Sequence, residues 1–325
     1  MRKRSGIISI TLGIIASIAL LLAYYGYSPS VSRPDLSGEL RSDTIVIDDI
    51  QRSYSFYLPN NLPDQPALVF MLHGSSQSVD DIRAYTAYQF EQLADQHKFI
   101  LVYPEGYKNN WNDCRKTANY PARAENIDDI KFIKTLMSHF QHRFGSNSTK
   151  SFMAGFSNGG HLGFRFALEH PNAIGGIAAI SANLPSASNL DCVDKGAAVP
   201  VLVMNGTDDP INRYHGGRVT LFGFGDRGDV LSSIATAEHF ARSAGHHGAP
   251  SETNYILNSQ HDDPTATKYI AWRGNQHAEI MLYTVTGGGH TIPQPYFRFP
   301  RILGATSKEI NGPAEIWAFF HRQIN

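Results

Sequence analysis

Ser157 stands in Gly155-Phe156-Ser157-Asn158-Gly159, a G-x-S-x-G pattern that follows the apolar run SFMAGFS (151–157). A sharp turn between strand and helix needs neighbours without side chains, and it lifts a hydroxyl above the sheet. The serine is then a candidate nucleophile for acyl transfer. A hydroxyl attacks a carbonyl poorly until a base takes its proton, and that base needs a carboxylate to orient it.

Of the 14 histidines, His290 is the expected base. It ends an apolar run in GGGHTIP, and Gly287 to Gly289 allow the backbone to turn the ring back toward Ser157. His161 falls on the helix after the serine and is expected to face away or pack, while His246 and His247 read as solvated. The acid should follow the run VPVLVMNG (199–206), where Asp208 and Asp209 both qualify. Neighbouring side chains on an extended segment point in opposite directions. One of the two should therefore reach the ring, and spacing alone does not choose between them.

A developing oxyanion needs N–H donors already in place. The backbone N–H of Asn158 is one expected donor. The other should come from the segment after MLHG (71–74), where Ser75 or Ser76 would supply it through the main chain. His73 reads as a structural residue of that loop, and Trp111 as a wall of the acyl pocket or an aromatic packing its own loop. The scattered histidines and two cysteines make no metal site. No dinucleotide motif sits at a strand–helix junction, so no cofactor is expected.

These residues need a frame. PALVFMLHG (66–74), FILVYPEG (99–106), SFMAGFS (151–157), IGGIAAISAN (174–183), VPVLVMNGTDD (199–209) and AEIMLYTVTGGGH (278–290) read as strands. Helical spacing appears over 80–97, 126–144, 159–170, 232–245 and 312–324. Continuous apolar strands alternating with helices predict a mostly parallel, doubly wound α/β sheet, with the chemistry beyond the carboxyl ends of its strands.

The formal net charge of −1 gives no field favouring nucleic acid. After Arg2, Lys3 and Arg4, residues Ile7–Tyr25 carry no charge. As a helix they would extend about 28 Å, enough to cross the hydrocarbon core. Residues 1–27 are thus expected to be a membrane anchor or a signal peptide, with 28–42 a Pro/Ser-rich linker. An uncleaved helix would make the inner membrane a partner and leave the rest on its periplasmic face; a cleaved one implies secretion. Export permits a disulfide. Cys114 and Cys192, in loops at one end of the sheet, are expected to form it, the alternative being two buried thiols.

LHGSSQS, VYPEG, WND, GFSNGG, ISANLP, NGTDDPINRYHGG and GGGHTIP occur in an order that resembles exported α/β-hydrolases of the polyhydroxybutyrate depolymerase-like and feruloyl esterase-like family. The resemblance spans about residue 43 to the C-terminus. It implies an α/β-hydrolase fold over 43–325 and carboxylic ester hydrolysis through an acyl-enzyme. It also implies Asp209 as the acid, since Gly206-Thr207-Asp208-Asp209 with Tyr214, Gly216 and Gly217 fits the family pattern; Tyr214 joins Trp111 as a substrate-binding expectation. Ile292 and Arg213 depart from that pattern near the pocket and bear on the substrate. A serine peptidase or a non-catalytic polymer-binding relative are the alternative readings. The polar segment 246–268 reads as a flap or as disordered.

Overall fold

The structure, a computed structural model, describes residues 2–256, 263–274 and 277–324, leaving aside the side chains of 2–13 and of 148. In chain order the strands are β1 (Glu39–Ile47), β2 (Ile50–Leu58), β3 (Leu68–Leu72), β4 (Ile100–Pro104), β5 (Ser151–Phe156), β6 (Gly176–Ile180) and β7 (Val201–Gly206). They continue as β8 (Gly217–Arg218), β9 (Asp229–Val230), β10 (Glu252–Ile256), β11 (Ala266–Gly274) and β12 (His277–Thr286). The helices are α1 (Arg2–Gly26), α2 (Val79–Tyr85), α3 (Gln89–His97), α4 (Pro121–Ala124), α5 (Asp129–Phe144), α6 (Asn158–Glu169), α7 (Ser233–Ser243) and α8 (Gly312–Arg322).

Ten strands form one sheet in the order β1-β2-β4-β3-β5-β6-β7-β12-β11-β10. The run from β4 through β12 is parallel. Strand β3 shows why. Leu68, Phe70 and Leu72 join α5, α6 and α7 in the core on one face, and Val69 and Met71 join α2, α3 and α8 on the other. A strand covered on both faces must be apolar at every position, and burying each such side chain stabilises by about 1.5–3 kcal/mol. This is the α/β-hydrolase sheet expected from the sequence.

The edges differ from the expectation. Strands β1 and β2 on one side, and β10 and β11 on the other, pair antiparallel. Their outer faces meet water, so they lack the continuous apolar run that marks a central strand. Strand β10 and the start of β11 occupy the polar segment read as a flap, of which 257–262 lies outside the described residues. The helix expected over 80–97 is two, because Ala87 (φ 49°) and Tyr88 (φ 57°) turn the backbone left-handed between them.

The expected linker is attached to the domain. Residue 43 lies inside β1, Ser37 binds the Asp95 carboxylate through its N–H and hydroxyl, and Gly38 donates to Tyr57 Oη. The apolar N-terminus forms the helix α1, yet among the described residues no helix is long and apolar enough to cross a membrane.

Candidate active site

Ser157 occupies the turn between β5 and α6 with φ 53° and ψ −116°, a conformation that costs a non-glycine residue about 1–3 kcal/mol. Its surroundings impose it. Ser157 N–H donates to the Ile180 carbonyl at 2.8 Å, and the Ser157 carbonyl accepts from His161 N–H at 3.0 Å. A Cβ on Gly159 would lie 2.6 Å from the Leu72 carbonyl oxygen, so only glycine lets α6 start this close to β3.

Asp209 and His290 meet above the neighbouring strands. Oδ2 of Asp209 accepts from His290 Nδ1 at 2.7 Å. Its Oδ1 accepts the N–H groups of Ile211 and Asn212, each at 2.8 Å. Both oxygens are thereby fixed, the Nδ1 tautomer is set, and Nε2 is left as the acceptor. Asp208 is exposed and takes a bond from the Thr207 hydroxyl. Of the two acids left open by spacing, Asp209 reaches the ring. Three closures hold His290: Asp208 N–H to the Gly288 carbonyl (2.9 Å), Gly289 N–H to Ala305 (2.9 Å) and His290 N–H to Leu303 (2.7 Å).

Ser157 and His290 line one cavity of about 170 Å³. Among the described residues the Ser157 hydroxyl has no hydrogen-bond partner and His290 has none beyond Asp209 and Leu303. Such contacts commonly tighten only with substrate bound. The same cavity is lined by Ser75, Gln77, Arg115, Tyr120 and His161, and by Arg227, Asn212 and apolar Phe156, Ile211 and Leu303.

Of the donors expected for an oxyanion, Ser75 lines the cavity and Asn158 follows Ser157 in the chain. Asn158 opens α6, where a first-turn N–H has no intrahelical acceptor. Ser76 N–H is taken by the Asn109 carbonyl at 2.8 Å, which leaves the Ser75 N–H as the available one of the pair. His73 holds this loop. Its Nδ1 meets the Gly74 carbonyl at 2.7 Å, and its Nε2 accepts Gly106 N–H at 2.9 Å.

Trp111 and Tyr214 do not line the cavity. Trp111 is fully buried, donates Nε1–H to the His73 carbonyl at 2.9 Å, and packs 4.9 Å from the His73 ring. Tyr214 is buried and bonds Thr284 Oγ1 at 2.8 Å. Both aromatics support loops from behind. Conversely, His161 does not face away. It is buried, lines the cavity, and its Nδ1 has no partner. Burial first, and then the Arg115 charge, push its pKa well below the ordinary histidine value, so it stands neutral.

A polar network missed in the sequence supports the serine. Asn158 Nδ2 donates to Asp113 Oδ2 at 2.7 Å, and Asp113 pairs with Arg115 Nη2 at 2.5 Å. Burial is the largest single influence and would raise the Asp113 carboxyl, but the Arg115 charge and the hydrogen bonds from Arg115 together outweigh it and hold the pKa below the usual carboxylate value. Cys114, between these two, is bonded to Cys192, with Cα atoms 5.2 Å apart. The signal for this network lay in WNDCR (111–115), whose charged residues sit too close to an apolar strand end to be solvated.

A family model described as Esterase PHB depolymerase matches residues 52–241. NocK of Nocardia uniformis subsp. tsuyamanensis, which carries an esterase name, is 24% identical over 294 residues, covering 88% of this chain and 83% of its own. Feruloyl esterase B of Talaromyces funiculosus is 23% identical over 262 residues, covering 73% and 68%. Among solved structures, an acetyl xylan esterase from Aspergillus awamori superposes with a TM-score of 0.51 at 18% identity, covering 83% of this chain and 96% of that one, a likeness of fold.

Proposed function

We propose a serine-hydrolase mechanism for this chain, which belongs to the PHB depolymerase esterase family and hydrolyses carboxylic esters. Ser157 Oγ attacks the ester carbonyl while His290 Nε2 takes its proton. Asp209 keeps the ring in the required tautomer and stabilises the imidazolium. The N–H groups of Asn158 and Ser75 receive the oxyanion, with the N-terminus of α6 adding its positive end. The tetrahedral intermediate collapses as His290 gives the proton to the departing alcohol. Water, activated by the same ring, then releases the acid from Ser157.

The Asp209–His290 bond at 2.7 Å beside a cavity that also holds Ser157 carries this reading. The test is hydrolysis of 4-nitrophenyl butyrate by the wild type and by Ser157→Ala. Removing a triad member costs about 10⁴–10⁶-fold in kcat, so the variant should retain almost nothing. Equal rates in the two proteins would end the assignment.

The Cys114–Cys192 bond supports a further part of the proposal, that the hydrolase domain from about residue 43 works in an oxidising compartment outside the cytosol. Cell fractionation with thiols blocked at lysis checks it: protein found in the cytosol with two free thiols would refute it.

A further inference from the structure

The catalytic cavity is polar where the acyl-transfer chemistry does not require it. Arg227, half-buried, lines it, and among the described residues its guanidinium has no carboxylate within ion-pair distance. Its recorded partner is the Tyr120 ring, with Cζ 5.3 Å from the centroid. The acids nearest in sequence, Asp226 and Asp229, lie 3.7 and 3.9 Å from Arg218 instead. Arg115, with Cζ 5.5 Å from the centroid of the same ring, is already neutralised by Asp113. Asp209 is likewise matched by His290. Arg227 is therefore the unbalanced charge of this wall.

Two further side chains in the cavity are buried polar groups without partners. His161 Nδ1 has none, and neither does the amide of Asn212, at nitrogen or oxygen. Leaving such groups unpaired is costly, so beside a cavity they call for ordered water or the polar atoms of a ligand.

The wall is also held in place. Asn189 Oδ1 accepts Thr117 N–H at 3.0 Å, while its Nδ2 donates to the carbonyls of Arg227 (3.0 Å) and Asp229 (3.1 Å). Lys116 N–H reaches the Asn189 carbonyl at 2.7 Å. One asparagine thus ties the Arg115 loop to the Arg227 loop, close to the Cys114–Cys192 bond.

We propose that Arg227, with the Asn212 amide and His161, forms a subsite for a carboxylate on the substrate, so that the preferred esters carry a free acid group besides the ester to be cleaved. The proposal rests on the serine-hydrolase reading above. A guanidinium suits a carboxylate because its planar fork offers two parallel N–H donors. Only the class of substrate follows: an acidic ester, with the acid on either the acyl or the alcohol side.

The test uses two matched pairs with the full chain. Mono-4-nitrophenyl adipate against 4-nitrophenyl hexanoate places the acid on the acyl side, and 4-butyryloxybenzoate against phenyl butyrate places it on the alcohol side. In one pair the wild type should favour the acidic member in kcat/KM by about 10–100-fold, the range of a hydrogen bond to a charged group. Arg227→Gln should lower that ratio at least about tenfold, and Arg227→Lys should restore part of it. Equal kcat/KM within both pairs, or a ratio unmoved by Arg227→Gln, overturns the subsite while leaving the hydrolase reading intact. If the wild type cleaves none of the four, the hydrolase reading fails and calorimetry on the Ser157→Ala protein decides the subsite. Binding of adipate or 4-hydroxybenzoate that Arg227→Gln weakens supports it, and no binding of either overturns it.

Discussion

Asn158 grips the main chain of Trp111 at both ends: its Oδ1 accepts the Trp111 N–H at 2.8 Å, and its Nδ2 donates to the Trp111 carbonyl at 3.1 Å. The residue after the proposed nucleophile is thus docked on a loop 47 positions away in sequence. Asn158→Asp removes both Nδ2 donations and sets a second carboxylate against Asp113. The loss should be about 3 kcal/mol, since buried polar groups are left unpaired and a like charge is added. Urea unfolding measures it, and the aspartate variant should fall below Asn158→Ala.

The two acids of the loop after β7 should separate cleanly. Asp209→Asn keeps the size of the side chain but offers His290 an amide, which favours the wrong tautomer, and kcat should drop about 10³–10⁴-fold with the fold intact. Asp208→Asn, at an exposed site, should change kcat less than about threefold. Parallel kinetics on 4-nitrophenyl butyrate check the pair.

At Gly159 an added methyl meets the Leu72 and His73 carbonyl oxygens at 2.6 and 2.7 Å, both backbone atoms. Neither can step aside without moving β3. Gly159→Ala should therefore cost about 3 kcal/mol or more, or prevent folding, and thermal melting will show which.

His161 makes stability depend on pH. Its pKa in the folded protein lies well below the ordinary 6.5, through burial and the Arg115 charge. Below that value the unfolded chain binds a proton that the folded chain does not. Its contribution is complete above pH 6.5 and is lost as the pH falls from there. His161→Gln should flatten the fall of Tm between about pH 6.5 and 5, although His97, His170 and His239, also held low by burial, will leave a residual slope.

Replacing both Cys114 and Cys192 with serine opens a bond that spans 78 residues. Stability should drop by about 2–5 kcal/mol, as is usual for a native disulfide. Chemical denaturation of the double variant measures the loss.

What could be read along the sequence was what local pattern controls. Central strands such as β3 and β5 are apolar throughout because both faces are covered, and the turn at Ser157 carries its glycines openly. His290 was legible from its three preceding glycines, and spacing narrowed the acid to two neighbours, of which the family resemblance singled out Asp209. Whether Asp209 or Asp208 meets the ring depends on the N–H groups of Ile211 and Asn212, which only the folded loop brings to Oδ1. Tyr214 was misplaced, and Trp111 and His161 were each left between two readings, for one reason: a side chain's direction out of a loop, or around a buried helix, is set by distant partners such as the His73 carbonyl and Thr284. Arg115, Tyr120 and Arg227 come from separate loops joined through Asn189 and the disulfide, and nothing in their spacing announces a shared wall.

His290, the proposed base, is held by closures from 303 and 305, well downstream of Ser157 and Asp209. Along the chain the serine turn is made well before the segment that supports the histidine. A chain that lacks 303–305 should therefore carry an unarmed serine, its imidazole without the main-chain bonds that set its position.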